Sequence, residues 1–84
     1  MTITVEARNY PEIDKMEIVI WFDQNGLDVL IKKLTKLQDK KDHLHLMTTE
    51  WGGGELGSEI FGAPDTRSCI VNHLMLVSID GGLG

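Results

Sequence analysis

"KMEIVIWFDQNGLDVLIKKLTKL", residues Lys15 to Leu37, changes its hydrophobic period part-way along. Up to Phe22 the residues alternate, with Met16, Ile18, Ile20 and Phe22 on one side and Glu17, Val19 and Trp21 on the other, which is the two-residue repeat of a β-strand. Apolar residues on both sides suit a central strand. Asp23 or Asn25 is then placed to cap a helix by accepting a hydrogen bond from a free amide of its first turn. Leu27, Leu30, Ile31, Leu34 and Leu37 follow at the spacing of one helical face, and Lys32, Lys33, Lys36 and Lys40 fall mostly outside it. The lysines gather toward the C-terminal end, where they complement the helix dipole, and they read as a solvated face.

Outward from this strand-to-helix switch, Thr2 to Arg8 alternate with Ile3, Val5 and Ala7 on one side, a half-buried strand. "NYPEID" separates it from Lys15, and Pro11, Asn9 and Asp14 favour a reversal, so the first two strands form an antiparallel hairpin. Beyond the helix, "DHLHLMT" forms a third strand, with Leu44 and Leu46 on one side and His43, His45 and Met47 on the other. A long glycine-rich loop spans 49–66, "RSCIVNHLMLVSI" forms a fourth strand, and 79–84 reads as a frayed tail. The expectation is a single α+β domain over residues 1–84: a small two-layer fold with an antiparallel four-stranded sheet, order β-β-α-β-β, and one helix packed on one face. If Ile3, Ile18, Ile20, Leu44, Leu46, Leu74 and Leu76 face that helix, the opposite face carries Thr4, Val19, Trp21, His43, His45, Met47, Val71, His73 and Met75. Such a mixture of aromatic, methionine and imidazole side chains suits a binding surface.

The overall balance narrows the partner. Eight basic residues against 13 acidic ones leave a formal charge of −5, which disfavours nucleic acid and anionic membranes and favours a cationic partner. No stretch reaches the ~18 apolar residues of a membrane span, and the N-terminus lacks the pattern of a signal peptide, so the expected location is the cytoplasm. The single cysteine, Cys69, excludes an internal disulfide and reads as a buried strand residue.

The chemistry concentrates in "HLHLMTTEWGGGEL", His43 to Leu56. His43 and His45 share a strand face, and His73 on a neighbouring strand, with Glu50 or Glu55, supplies the donor types of a zinc site. That metal-binding or metal-dependent alternative lacks the carboxylates that orient metal-bound histidines. Catalysis by Glu50 and Glu55 needs a shielded concavity that a two-layer domain of this size scarcely offers. The glycines match neither a P-loop nor a dinucleotide fingerprint, so no cofactor is expected. Trp51 bracketed by carboxylates combines a desolvating anchor with charges that select a cation; its alternative is to fold back toward Trp21 as a satellite core.

Taken together, the helix entry "FDQNGLDVLIKKLTKL", the His-x-His strand, Trp51 to Gly53 followed by Glu55 and Leu56, and the pair His73 and Leu74 resemble an immunity protein family of bacterial polymorphic toxin systems, catalogued as family thirty-two. The resemblance implies a small cytoplasmic α+β domain that binds one cognate toxin and blocks it, without catalysis of its own. An acidic inhibitor suits a basic nuclease toxin. Glu50, Trp51, Glu55, His43, His45, His73 and Trp21 are the expected partner-facing residues, with a homodimer through the open sheet face as the remaining alternative.

Overall fold

In the computed structural model of the chain, which describes residues 2–38, 41–59 and 68–79, the strand-to-helix switch falls where the period changes. Strand β1 (Ile3–Tyr10) and strand β2 (Lys15–Phe22) form the expected antiparallel hairpin, with Ile3 opposite Phe22 and Tyr10 opposite Lys15. The reversal is a short 3-10 turn at Pro11–Ile13, where proline needs no amide donor, and it closes at Asp14 in the left-handed region at φ 54°. Helix α1 (Gln24–Thr35) follows at once. Asp23 is its N-cap: one carboxylate oxygen accepts from the Gly26 amide at 2.7 Å and from the Thr2 amide at 3.0 Å. These two bonds hold the Asp23 carboxyl below its ordinary range and tie the start of the helix to the start of β1.

The remaining strands are β3 (His43–Met47), β4 (Ser68–Ile70) and β5 (His73–Val77). They do not complete one four-stranded sheet. The structure has two antiparallel sheets, β2-β1-β4 and β3-β5, and the expected fourth strand is split between them at Val71 and Asn72. The Val71 amide still bonds to the Val5 carbonyl at 2.8 Å. At Asn72 the chain bends away, held by buried Thr48, whose amide donates to the Asn72 carbonyl at 2.9 Å and whose hydroxyl bonds to the Asn72 side chain at 2.8 Å. The amide bond continues the pairing of β3 with β5 by one residue and the side-chain bond fastens it, so one continuous apolar stretch serves two sheets.

The core lies where the sheets meet: Ile3, Val5, Leu46 and Leu56 are buried, with Val29, Leu30, Leu44, Val71 and Leu74 packed on them. Val71 therefore belongs to the core and not to the outer face. The helix docks through Gly26, Val29 and Leu30, on one flank of its apolar stripe, which leaves Ile31 and Leu34 about half exposed on the other. Twelve residues of helix reach about 18 Å, shorter than the roughly 27 Å of an eight-residue strand. The Ile3–Val5 end of the sheet is covered, and the rest of that face is not.

Three expectations change. Ile18 and Ile20 share the face of Ile3 and Val5 yet stay exposed, and β2 is an edge strand instead of a central one. Cys69, opposite Ala7 beyond the reach of the helix, is exposed on β4. The expected tail beyond Ile79 and the stretch 60–67 of the long loop lie outside the described residues. No helix among the described residues is long and apolar enough to cross a membrane.

Candidate functional site

The β3–β5 register puts Leu44 and Leu46 opposite Leu76 and Leu74 on one face, and His43, His45 and Met47 opposite Val77, Met75 and His73 on the other. Leu44, Leu46 and Leu74 join the core, so period-two geometry turns the three histidines outward together. His45 and His73 are diagonal neighbours, with His45 Nδ1 2.7 Å from His73 Nε2 and ring centroids 5.0 Å apart. A bond between two imidazole nitrogens needs one N–H and one lone pair, so this contact exists only when at least one ring is neutral. His43 stands edge-on to His45 at 4.9 Å.

Trp51 extends the row: its ring lies 5.5 Å from His73, tilted by 35°, and it is 58% exposed. It is carried by a 3-10 turn at Thr49–Trp51 that follows β3 directly. The Thr48 carbonyl accepts from the amides of Trp51 at 3.0 Å and Gly53 at 3.1 Å. Gly52 leaves the turn at φ 91°, a conformation that glycine adopts without strain. At Gly53 the chain presses against β3, where a Cβ would come within 2.6 Å of the Met47 Cβ and 2.7 Å of its carbonyl oxygen. The Leu56 amide then bonds to the Met47 carbonyl at 3.1 Å and the Leu56 side chain enters the core. The first half of the long loop is thus a folded bracket that presents Trp51.

The two glutamates serve the bracket. One Glu55 oxygen accepts from the Gly54 amide at 3.1 Å and the Met47 amide at 3.3 Å; amide bonds, its own first, hold its carboxyl below the ordinary range. Glu50 is exposed, and its own amide, followed by the Thr48 and Thr49 hydroxyls, likewise lowers its carboxyl. Neither is a free carboxylate reaching toward the histidines. His43 Nδ1 is 3.6 Å from Asp42, away from the His45–His73 contact, so the three imidazoles do not converge on a point. Among the described residues no group of three or more His, Cys, Asp or Glu side chains is placed to hold a metal ion.

Trp21 sits elsewhere. It projects from the outer face of the β2-β1-β4 sheet, half-buried, with its indole N–H donating to Glu6 at 3.0 Å. Glu6 is fully buried and also accepts from Arg8 at 3.0 Å, and Arg8 reaches Glu17 at 3.5 Å. The bonds from Arg8 first, with the Trp21 bond among the others, bring the Glu6 carboxyl down to about 2. The sequence reading grouped Trp21 with the histidines because one sheet was expected, and it passed over Glu6, Thr48 and Asn72. Only the interruption of polar Asn72 between Val71 and His73 hinted at the break.

The chain matches no protein-family model, no curated protein and no solved structure.

Proposed function

We propose that this protein is an immunity protein, which binds a cognate bacterial toxin in the cytoplasm and blocks it without any catalysis of its own. The supporting observation is the row Trp51, His73, His45 and His43: a solvent-facing aromatic strip on two paired strands, ending in an exposed tryptophan on a hydrogen-bonded turn. Rigid presentation matters because an anchor that is already ordered loses little conformational entropy on binding. Tryptophan in such a position is the side chain most often found to dominate an interface. Met75 and Val77, both exposed, widen the strip with apolar surface.

Charge supports the same reading. The excess of five negative charges speeds encounter with a cationic surface such as that of a nuclease toxin. Glu50, at the rim beside Trp51, is the carboxylate best exposed to a partner, whereas Glu55 contributes by shaping the bracket. Of the motifs that resemble family thirty-two, His-x-His on β3, Trp-Gly-Gly in the bracket and His73 on β5 fall on this surface, whereas the helix entry lies on α1 and Leu74 packs on the core.

The experiment is co-expression with the toxin domain encoded beside this chain, scored as survival. The parent chain rescues, and a Trp51→Ala, His73→Ala variant of equal abundance and fold does not. Full protection by that variant removes this surface from the proposal, and failure of the folded parent to protect or to bind the toxin removes the function.

A further inference from the structure

The β2 strand has the sequence of a central strand and the position of an edge strand. Among the described residues β1 is its only strand neighbour, yet Met16, Ile18, Ile20 and Phe22 stand on one face at 67, 52, 41 and 49% exposure. A long, unbulged, apolar edge of this kind invites pairing, and proteins ordinarily blunt it with charge, proline or a bulge. Between Lys15 and Phe22 there is one lysine and one glutamate, at one end, and no proline.

The backbone is oriented for a second ladder. The Asp23 amide bonds to the Thr2 carbonyl, and on β1 the carbonyls of Ile3 and Val5 turn the other way to accept from Gly57 and Val71. By alternation, residues 15, 17, 19 and 21 of β2 bond to β1, and Met16, Ile18, Ile20 and Phe22 direct their N–H and C=O groups to the free edge.

We propose that this edge pairs with the same strand of a second copy, antiparallel about a two-fold axis at Val19, joining two three-stranded sheets into one of six strands. In this register Ile18 lies opposite the partner's Ile20, Met16 opposite the partner's Phe22, and Lys15 opposite the partner's Asp23. Apolar meets apolar on one face and opposite charges meet at both ends. Neighbouring registers fail on charge or length. An axis at Ile20 sets Glu17 against the partner's Asp23, an axis at Glu17 sets two glutamates face to face, and an axis at Ile18 shortens the ladder because Asp14 is held in the left-handed region. A self-complementary patch of this kind is what a two-fold interface requires.

The helices of both copies would then lie on one side of the joined sheet. At the joint the four exposed apolar side chains of each β2 meet those of the other copy, which adds apolar contact to the main-chain hydrogen bonds of the ladder. This surface is separate from the Trp51 strip, so the inference does not depend on the proposed function.

Sedimentation equilibrium over a concentration series tests it, with hydrogen exchange alongside. The expected mass is twice the 9.4 kDa of the chain, with the amides of Met16, Ile18, Ile20 and Phe22 gaining protection as concentration rises. An Ile18→Lys, Ile20→Lys variant should run as a folded monomer, since both side chains are exposed in the single chain. Should that variant fail to fold, Lys15→Glu in its place should weaken the dimer about twofold to fivefold by putting like charges opposite each other. A monomer at every concentration overturns the proposal. So does a dimer indifferent to the folded Ile18→Lys, Ile20→Lys variant, or to Lys15→Glu where that variant does not fold, and so does a dimer lost through Trp51→Ala.

Discussion

The two tryptophans show how differently one residue type is used on the outer faces of the two sheets. Trp21 lies over a buried carboxylate: its N–H is bonded to Glu6, and Arg8 and Glu17 extend the network. Trp51 has the opposite surroundings, a folded turn beneath it, His73 beside it and solvent over more than half of its surface. On the first face the Trp21 indole, the Glu6 carboxylate and the Arg8 guanidinium are bonded to one another, so these groups gain little from a partner. The second leaves apolar and aromatic surface uncovered. The difference predicts that stability and binding separate cleanly between the two sites.

The largest separation should come from the tryptophans themselves. Trp21→Ala should cost about 2–3 kcal/mol of stability, somewhat less than full truncation of a core tryptophan because the ring is half-buried, with toxin affinity of the folded fraction unchanged. Trp51→Ala should cost at most about 0.5 kcal/mol of stability and weaken binding of the proposed toxin partner by about 2 kcal/mol or more, roughly thirtyfold. Denaturant unfolding and calorimetric titration measure the two quantities. Loss of both by either variant would mean that the faces are coupled and the comparison fails.

Gly53→Ala tests whether the bracket is what makes Trp51 effective. The added methyl meets the Met47 backbone, which cannot swing aside as a side-chain end can, so a destabilisation of about 1–3 kcal/mol is expected. Binding should weaken as well, since displacing the turn moves Trp51 away from His73. Unchanged binding in a folded Gly53→Ala protein would show that the partner reads Trp51 without reading its position.

How much of this was legible in the sequence follows from the length of the patterns. The hairpin and the helix rest on long repeats and both appear, although β1 runs on to Tyr10 and α1 ends at Thr35, short of Leu37; of the two caps offered, Asp23 and Asn25, Asp23 is the one used. The outward turn of His43, His45, Met47, His73 and Met75 was legible from strict alternation over strands of only five residues. The break at Asn72 was not, because it depends on Thr48, which is 24 residues away and carries no periodic signal. Treating one broken strand as one whole strand merged two sheets, and that merger moved Trp21 and Val71 onto the wrong surface. The bonds of Glu55 to the Gly54 and Met47 amides were not legible for a related reason: a carboxylate in a glycine-rich loop carries no mark of the amides it caps.

Acid should act more strongly on the Trp21 side than on the Trp51 side, because Glu6 is the carboxyl that folding lowers furthest. Glu6 is held down to about 2 in the folded chain, below its ordinary value of 4.5. A depressed carboxyl contributes stability that is present above the unfolded value and is lost as pH falls through the folded one. Stability should therefore decline between about pH 4.5 and 2, and Glu6→Gln should flatten that decline while lowering stability at neutral pH. Urea midpoints across this range measure it. A decline equally steep in the variant would assign the acid sensitivity to other carboxylates, Asp23 and Glu55 first among them because folding lowers them too.

The smallest expected effect sharpens the comparison within the Trp51 face. Glu50 and Glu55 carry the same charge, but Glu50 is exposed at the rim whereas Glu55 is half-buried against the Met47 and Gly54 amides. Removing a rim charge mainly changes the rate of encounter. Glu50→Gln should slow association with a cationic toxin by about twofold at low salt, leave dissociation unchanged and lose its effect as salt rises. Glu55→Gln keeps one acceptor oxygen for the amides, so it should lower stability slightly and leave association alone. If the two substitutions slowed association equally, the partner would be responding to net charge at a distance, and the rim position of Glu50 would carry no special weight.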